Sequence, residues 1–328
     1  MRKLLLGTTA LAAAATLSAN VAVADVSISG YYEWNYMSKS SDITANDGTT
    51  FGSDSEIAFK FSNKTDSGLT IGMTTEMTSD GGDALMDESS VTISGGFGKI
   101  VLGNNDGASL DYEVVSTSLP AEEIYAGIGT SNDLVLTNAA ISNLAGDDNK
   151  ISYHLPAMGG LTAGVSFQNS GAAGSTDTTE FGAQYAMQAG GAAITLGYAS
   201  ATKEASSQDT DSTAIGVKVV SGNITAAVSQ STFEKAATAA VAGTASTTTA
   251  ARVAPIDAVD KADEESIGAA VSFKVNDGMT ITVHTAETDD GQTTESYSNS
   301  GVEVAYTVAP GLSAYLNIEG RRYCRSCY

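Results

Sequence analysis

Residues 56–73 read EIAFKFSNKTDSGLTIGM, and the alternation in this stretch decides the architecture. Ile57, Phe59 and Phe61 fall on one side of an extended chain, while Glu56, Ala58, Lys60 and Ser62 fall on the other. Thr65-Asp66-Ser67-Gly68 has the composition of a tight turn. The next run repeats the pattern, with Leu69, Ile71 and Met73 opposed by Thr70, Gly72, Thr74 and Glu76. Two alternating runs around a short turn predict an antiparallel hairpin.

The same period of two recurs along almost the whole chain. Val91/Ile93 and Ile100/Leu102 flank Gly95-Gly96-Phe97-Gly98. Further runs are Ile151/Tyr153/Leu155, Leu161/Ala163/Val165/Phe167, Phe181/Ala183/Tyr185/Met187 and Ile194/Leu196/Tyr198. Ile215/Val217/Val219, Ile224/Ala226/Val228, Ile267/Ala269/Val271/Phe273 and Met279/Ile281/Val283 follow, then Val302/Val304/Tyr306 and Leu312/Ala314/Leu316/Ile318. With a first run near Val26–Tyr36, the pattern gives 15 clear strands. Short connections (65–68, 157–160, 189–190, 221–223, 276–278, 310–311) trade places with long polar ones (38–53, 79–87, 170–178, 200–211, 231–263, 288–298). Short turns at one end and long loops at the other are the arrangement of an outer-membrane barrel.

Composition narrows the classes. The 328 residues carry 38 acidic and 16 basic side chains, a formal net charge of −22. Phosphate recognition needs clustered Lys and Arg, so nucleic acid is excluded as a partner. Only 16% of residues are charged and 42% are hydrophobic, too apolar a mixture for a disordered acidic chain. Beyond the N-terminus no apolar run is long enough to cross a bilayer as a helix.

The two faces of each strand separate the remaining architectures. A soluble sandwich packs bulky apolar faces inward and charge outward. Here a continuous apolar set is opposed by Thr, Ser, Gly, Gln and scattered charge, in a wall too wide for its own side chains to plug. A closed barrel satisfies both faces, one in lipid and one in a water-filled lumen, and removes the unpaired edges that lipid cannot solvate. The reading is an all-β, transmembrane, antiparallel up-and-down barrel of about 16 strands. The alternative is a secreted β-rich surface or adhesion protein without a pore. Tyr31, Tyr32, Trp34 and Tyr36 on one strand, with Phe51, Tyr198, Tyr306 and Tyr315 near strand ends, fit interfacial aromatic girdles.

Residues 1–24, MRKLLLGTTALAAAATLSANVAVA, read as a signal peptide. Arg2 and Lys3 give the positive start, Leu4–Leu17 the apolar middle, and Ala22-Val23-Ala24 the cleavage site after Ala24. The barrel domain is then 25–319. Within it, residues 104–149 lack clean alternation and carry Asp106, Asp111, Glu113, Glu122, Glu123, Asp133, Asp147 and Asp148. Between Asn104 and Asn149 there is no Lys or Arg. A loop this long has a function. Its apolar residues, among them Leu110, Val114, Val115, Leu119 and Ile141, must pack against something, and in a wide barrel that is the inside wall. There it narrows the pore, and its carboxylates set the local field.

Thr65-Asp66-Ser67-Gly68-Leu69, the run Ser94-Gly95-Gly96-Phe97-Gly98-Lys99-Ile100-Val101-Leu102-Gly103 leading into the acidic loop, and the opening Asp25-Val26-Ser27-Ile28-Ser29-Gly30 resemble the general-diffusion porins of the alphaproteobacterial type. The resemblance runs from residue 1 to about 319. It implies a 16-stranded barrel in the outer membrane of a Gram-negative bacterium, a homotrimer set in outer-membrane lipid and lipopolysaccharide, and a third loop folded inward. It also implies passive diffusion of small hydrophilic solutes and ions, with no required cofactor. Some members of the family hold calcium on acidic loop residues, for which Asp106, Asp111 and Asp147 are the candidates here.

Two departures from the family pattern carry expectations of their own. Family pores face the acidic loop with a basic cluster, whereas the wall here reads Glu56, Lys60 and Glu76, with Lys218 and Lys274 as further inward cations. The acidic constriction of Asp106, Asp111, Glu113, Glu122 and Glu123 against so few cations predicts a preference for cations. The second departure is the basic tail 320–328, which does not alternate, leaves the closing strand missing or atypical, and holds Cys324 and Cys327. Without a second pair these cysteines carry no zinc or redox assignment. Neither an esterase elbow nor a zinc-protease helix nor a phosphate loop occurs, so no enzyme is expected.

Overall fold

The computed structural model describes residues 25–40, 48–78, 86–119, 140–141, 144, 146, 148–169, 176–204, 209–234, 263–289 and 295–325. Residues 1–24, and with them the signal peptide, lie outside the described residues. Fifteen strands follow one another: β1 Asp25–Lys39, β2 Gly48–Lys64, β3 Thr70–Thr78, β4 Ser89–Gly95, β5 Gly98–Asn104, β6 Asn149–His154, β7 Leu161–Asn169 and β8 Asp177–Ala189. β9 Ala192–Lys203, β10 Thr210–Ser221, β11 Ile224–Glu234, β12 Asp263–Asn276, β13 Met279–Asp289, β14 Glu295–Ala309 and β15 Leu312–Arg325 complete the sheet. Each strand pairs with its sequence neighbours, giving one sheet in the order β1 to β15. Among the described residues β1 and β15 are its two ends. No described helix is long and apolar enough to cross a membrane; the crossing elements are strands.

Local chemistry sets the hairpins. At the β2–β3 turn, Gly68 N donates to Thr65 O at 2.9 Å, and Thr65 Oγ1 accepts from Leu69 N at 3.0 Å. Gly68 takes φ of +87°, a conformation that costs glycine little. This turn sets the register in which Phe61 faces Met73 and Lys60 faces Thr74.

The distribution of side chains is inverted relative to a soluble protein. Ala226, Val271, Val283, Val302 and Ile318 form one register row across β11 to β15. Of these, Val271, Val283, Val302 and Ile318 are exposed, Ile318 to 68%. Phe181, Ile215, Val228 and Ile267 are exposed in the same way on neighbouring strands. The buried residues are instead polar or small: Glu180 and Glu303 at 1%, Thr178, Ser152 and Ala199 at 0%. Water would penalise such a surface, while acyl chains solvate it, and the polar face then belongs to the lumen. A dry apolar layer of the kind a sandwich needs is not what these strands bury. At one end of β1 and β2 the outward aromatics gather, with Trp34 stacked on Phe51 at 5.2 Å and Tyr36 at 5.4 Å from the same ring.

The C-terminal boundary differs from the expected 319. β15 continues to Arg325, with Gly320, Arg321 and Arg322 laddered to Ser300, Asn299 and Ser298. The outward positions have left the apolar band by Gly320, so the hydrophobic signal stops while the hydrogen-bond ladder goes on.

Candidate functional site

After β5 the chain turns inside the sheet. Residues 105–119 form a short helix α1, Ala108–Tyr112, an extended stretch Glu113–Val115 and a 3-10 turn at Ser116–Ser118. α1 packs against β6, β7, β8 and β9, and the 3-10 turn against β11 and β12. The sequence reading had no helix here, since five residues are too few to show a period.

The wall beneath this segment is made of small residues. Gly164 pairs with Gly182, Gly197 with Gly216, and Gly216 with Ser229, all on inward positions of β7 to β11. A Cβ at Gly164 would stand 2.8 Å from the Tyr112 ring, and one at Gly197 2.6 Å from Val114 Cγ2. A Cβ at Gly182 or Gly216 would overlap the carbonyl oxygens of Ala108 and Val114. The glycines therefore let loop backbone lie directly on strand backbone. Apolar loop residues complete the contact: Ile141 is buried with Ala199, Ala201 and Ala214, and Leu110 and Leu144 pack on them. Val114 and Val115 are buried as well. Each such side chain is worth about 1.5–3 kcal/mol on burial.

Hydrogen bonds pin the segment along its length. Ser109 Oγ donates to Glu180 Oε1 at 2.8 Å, Ser166 Oγ donates to Glu180 Oε2 at 2.6 Å, and Ala108 N donates to Ser166 Oγ at 3.0 Å. Tyr112 Oη and His154 Nδ1 are 2.9 Å apart, and His154 Nε2 lies 3.7 Å from Asp111 Oδ2. Burial, and then the Asp111 carboxylate, push the Tyr112 phenol above its ordinary pKa. Ser116 N donates to Ser229 Oγ at 3.0 Å. On the returning arm, Lys150 Nζ donates to Asn105 O at 2.5 Å and Gly146 O at 2.7 Å, and Lys203 Nζ donates to Leu144 O at 3.1 Å.

The expected site residues separate into groups. Asp111 is exposed on α1, and Asp106 precedes it half-buried. Glu113 is buried, and its Oε2 accepts from Ile141 N at 2.9 Å, so it joins the two arms of the loop. Glu122, Glu123 and Asp147 lie outside the described residues. Among the described residues no set of three His, Cys, Asp or Glu side chains could share a metal ion. On the wall, Glu56 and Asp54 are buried on the inner face of β2, with Lys60 exposed further along the same face. Tyr31 Oη donates to Asp54 Oδ2 at 2.9 Å, and Glu33 stands in register with Asp54. Glu76 lies beside Ala58 on β3, and Lys218 on the inner face of β10. Lys274 pairs at 2.9 Å with Asp277 in the β12–β13 turn, which places it at the end of the barrel rather than at the constriction. That ammonium holds the Asp277 carboxyl below the usual range, first through the hydrogen bond.

Sequence reasoning missed Glu180, Ser166, Lys99, Lys150, Lys203 and Arg321 as inward groups. Arg321 Nε stands 3.5 Å from Glu319 Oε1 on β15, in the stretch set aside as a tail. The glycine wall had a readable signal, since Gly inside a strand pattern marks close backbone approach.

An up-and-down sheet with aliphatic residues outside, polar residues inside and a segment folded onto its inner wall defines an outer-membrane channel. The chain belongs to the Gram-negative porin family, whose family model matches residues 7–323. Among solved structures, the trimer form of OmpT from Vibrio cholerae, an outer membrane protein, is similar at 13% identity, with a TM-score of 0.61, over 92% of this chain and 89% of that one. The anion-selective porin from Comamonas acidovorans is similar at 18% identity and a TM-score of 0.59, over 92% and 90% of the two chains. OmpF of Salmonella typhi, in complex with daunomycin, is similar at 13% identity and a TM-score of 0.57, over 90% and 89%. The comparison with curated proteins finds no match. The chain is thus an outer-membrane porin, a channel for diffusion.

Proposed function

We propose that this porin prefers cations and works as a homotrimer in outer-membrane lipid and lipopolysaccharide, passing small hydrophilic solutes without catalysis. The carrying observation is the charge on β1 to β3, strands outside the arc against which α1 and the 3-10 turn pack. On β1 to β3 the inward groups are Glu33, Asp54, Glu56 and Glu76, with Lys60 among them. Carboxylates here, facing a loop that itself exposes Asp111, raise the local concentration of cations and lower that of anions. Of the inward ammonium groups, Lys274 is paired with Asp277 and Lys150 is buried beneath the loop. Charge-neutral chemistry suffices: the lumen groups line the wall or hold the loop, and diffusion asks none of them to exchange a proton with a solute. The trimer rests on family membership and on the trimer form of the Vibrio cholerae protein.

Reversal potentials in asymmetric KCl across planar bilayers test the reading. Cation preference, with channels arriving in triplets of equal conductance, is the expected outcome. Anion preference, or a preference unmoved by the joint change of the half-buried inward carboxylates Glu33→Gln and Glu76→Gln, overturns the charge assignment.

A further inference from the structure

Glu180 is a carboxylate at the centre of the wall whose charge no passing ion meets. It lies on β8 opposite Ser166 of β7, and its exposure is 1%. We propose that Glu180 is the positioning residue that clamps the start of the constriction loop to the wall and so sets the width of the passage. The inference deepens the channel reading above and rests on it.

Three features meet at this side chain. Its two oxygens accept from hydroxyls on opposite sides of the seam between loop and wall, Ser109 on α1 and Ser166 on β7. Ser166 then accepts the backbone N–H of Ala108, so the donors run in one direction toward the carboxylate. A carboxylate accepts at both oxygens, whereas a glutamine offers one acceptor and turns an N–H₂ toward the second hydroxyl. The third feature is Gly107, where a Cβ would fall on Glu180 Oε2. A Cβ there would push the carboxylate off its two hydroxyls, so glycine lets the loop backbone close over Glu180 with both hydrogen bonds made.

Position gives the clamp leverage. Glu180 holds residues 107–109, where the chain leaves β5, and the contacts of Tyr112, Val114 and Ser116 follow in sequence. Release at this point frees the start of the segment that narrows the lumen. A charged hydrogen bond is worth more than a neutral one and leaves a buried group unsatisfied when its partner is lost. Losing one such bond raises the detached population of the loop by about ten- to a hundredfold.

The test uses the full-length trimer reconstituted in planar bilayers and liposomes, with the variants Glu180→Gln, Ser109→Ala and the pair together. The expected result is more frequent large-conductance sublevels and a higher size limit for neutral sugars in liposome swelling. Ser109→Ala should reproduce Glu180→Gln although it removes no charge, and the double variant should add little to either. Ser109 sits on the loop and outside the barrel wall, so its variant reports even if changes at Glu180 hinder folding. A size limit and noise level unchanged in folded Ser109→Ala and Glu180→Gln trimers overturn the clamp. So does a change confined to the reversal potential, which marks Glu180 as a pore charge. Failure of the unaltered protein to conduct overturns the channel reading instead.

Discussion

Val283 offers a direct test of which side of the sheet meets lipid. It is 53% exposed on β13, with Val271 and Val302 beside it in register, both also exposed. Its neighbour along the strand, His284, points to the opposite face, where its ring lies over Gly301. Arginine at a mid-bilayer, lipid-facing position of a barrel costs about 2–4 kcal/mol. Val283→Arg is therefore expected to weaken folding into lipid by roughly 30- to 700-fold. The stripe Val271–Val283–Val302–Ile318 offers no polar partner in its own row, so the upper half of that range applies. His284→Arg, one residue away, puts the same guanidinium on the lumen face rather than in lipid and should cost less than Val283→Arg. Urea titrations of folding into phosphatidylcholine vesicles, read by heat-modifiable gel mobility, measure both. Equal costs for the two variants, or a larger cost at His284, would refute the assignment of the faces and the permeation account with it.

The other expectations concern the loop. Gly216→Val puts a branched side chain where the Val114 carbonyl lies, so the loop must move or the wall must bend. A cost of about 1–3 kcal/mol, with new conductance sublevels in single-channel records, is expected, whereas Gly96→Val, in a turn with open space around it, should leave the current steps unchanged. Tyr112 has a folded-state pKa raised above its ordinary 10.0 by burial and by Asp111. Its contribution is present below pH 10 and is lost only as the pH climbs through the raised value. In a tyrosinate absorbance titration, Tyr112→Phe should remove one phenol from the late-ionising phase.

Much of the fold was legible because lipid enforces the period of two over whole strands. The runs at Ile151, Val165, Phe181 and Ile215 mark strands now seen at β6, β7, β8 and β10. The signal faded where the outward residue leaves the apolar band, which is why Arg321 was set aside although it faces inward from a laddered strand. The loop's limits were readable from its lost alternation, and its inward course from Val114, Val115 and Ile141, all of which are buried. Its fastening was not. Glu180 and Ser166 look like ordinary polar positions until the register sets them opposite one another beneath Ser109. Glu113 shows the converse, since an acidic residue in an acidic loop gave no sign that it would turn inward to cap Ile141 N.

The seating of the loop makes the conduit lopsided. Among the described loop residues, 105–119 lie against the arc from β6 to β12, so by themselves they crowd that side of the lumen. A migrating molecule then brushes only part of the circumference, and an elongated one must travel with its long axis along a crescent. Substitutions that retune what gets through should therefore cluster on the opposite arc, while those under the loop change whether the crescent keeps its shape.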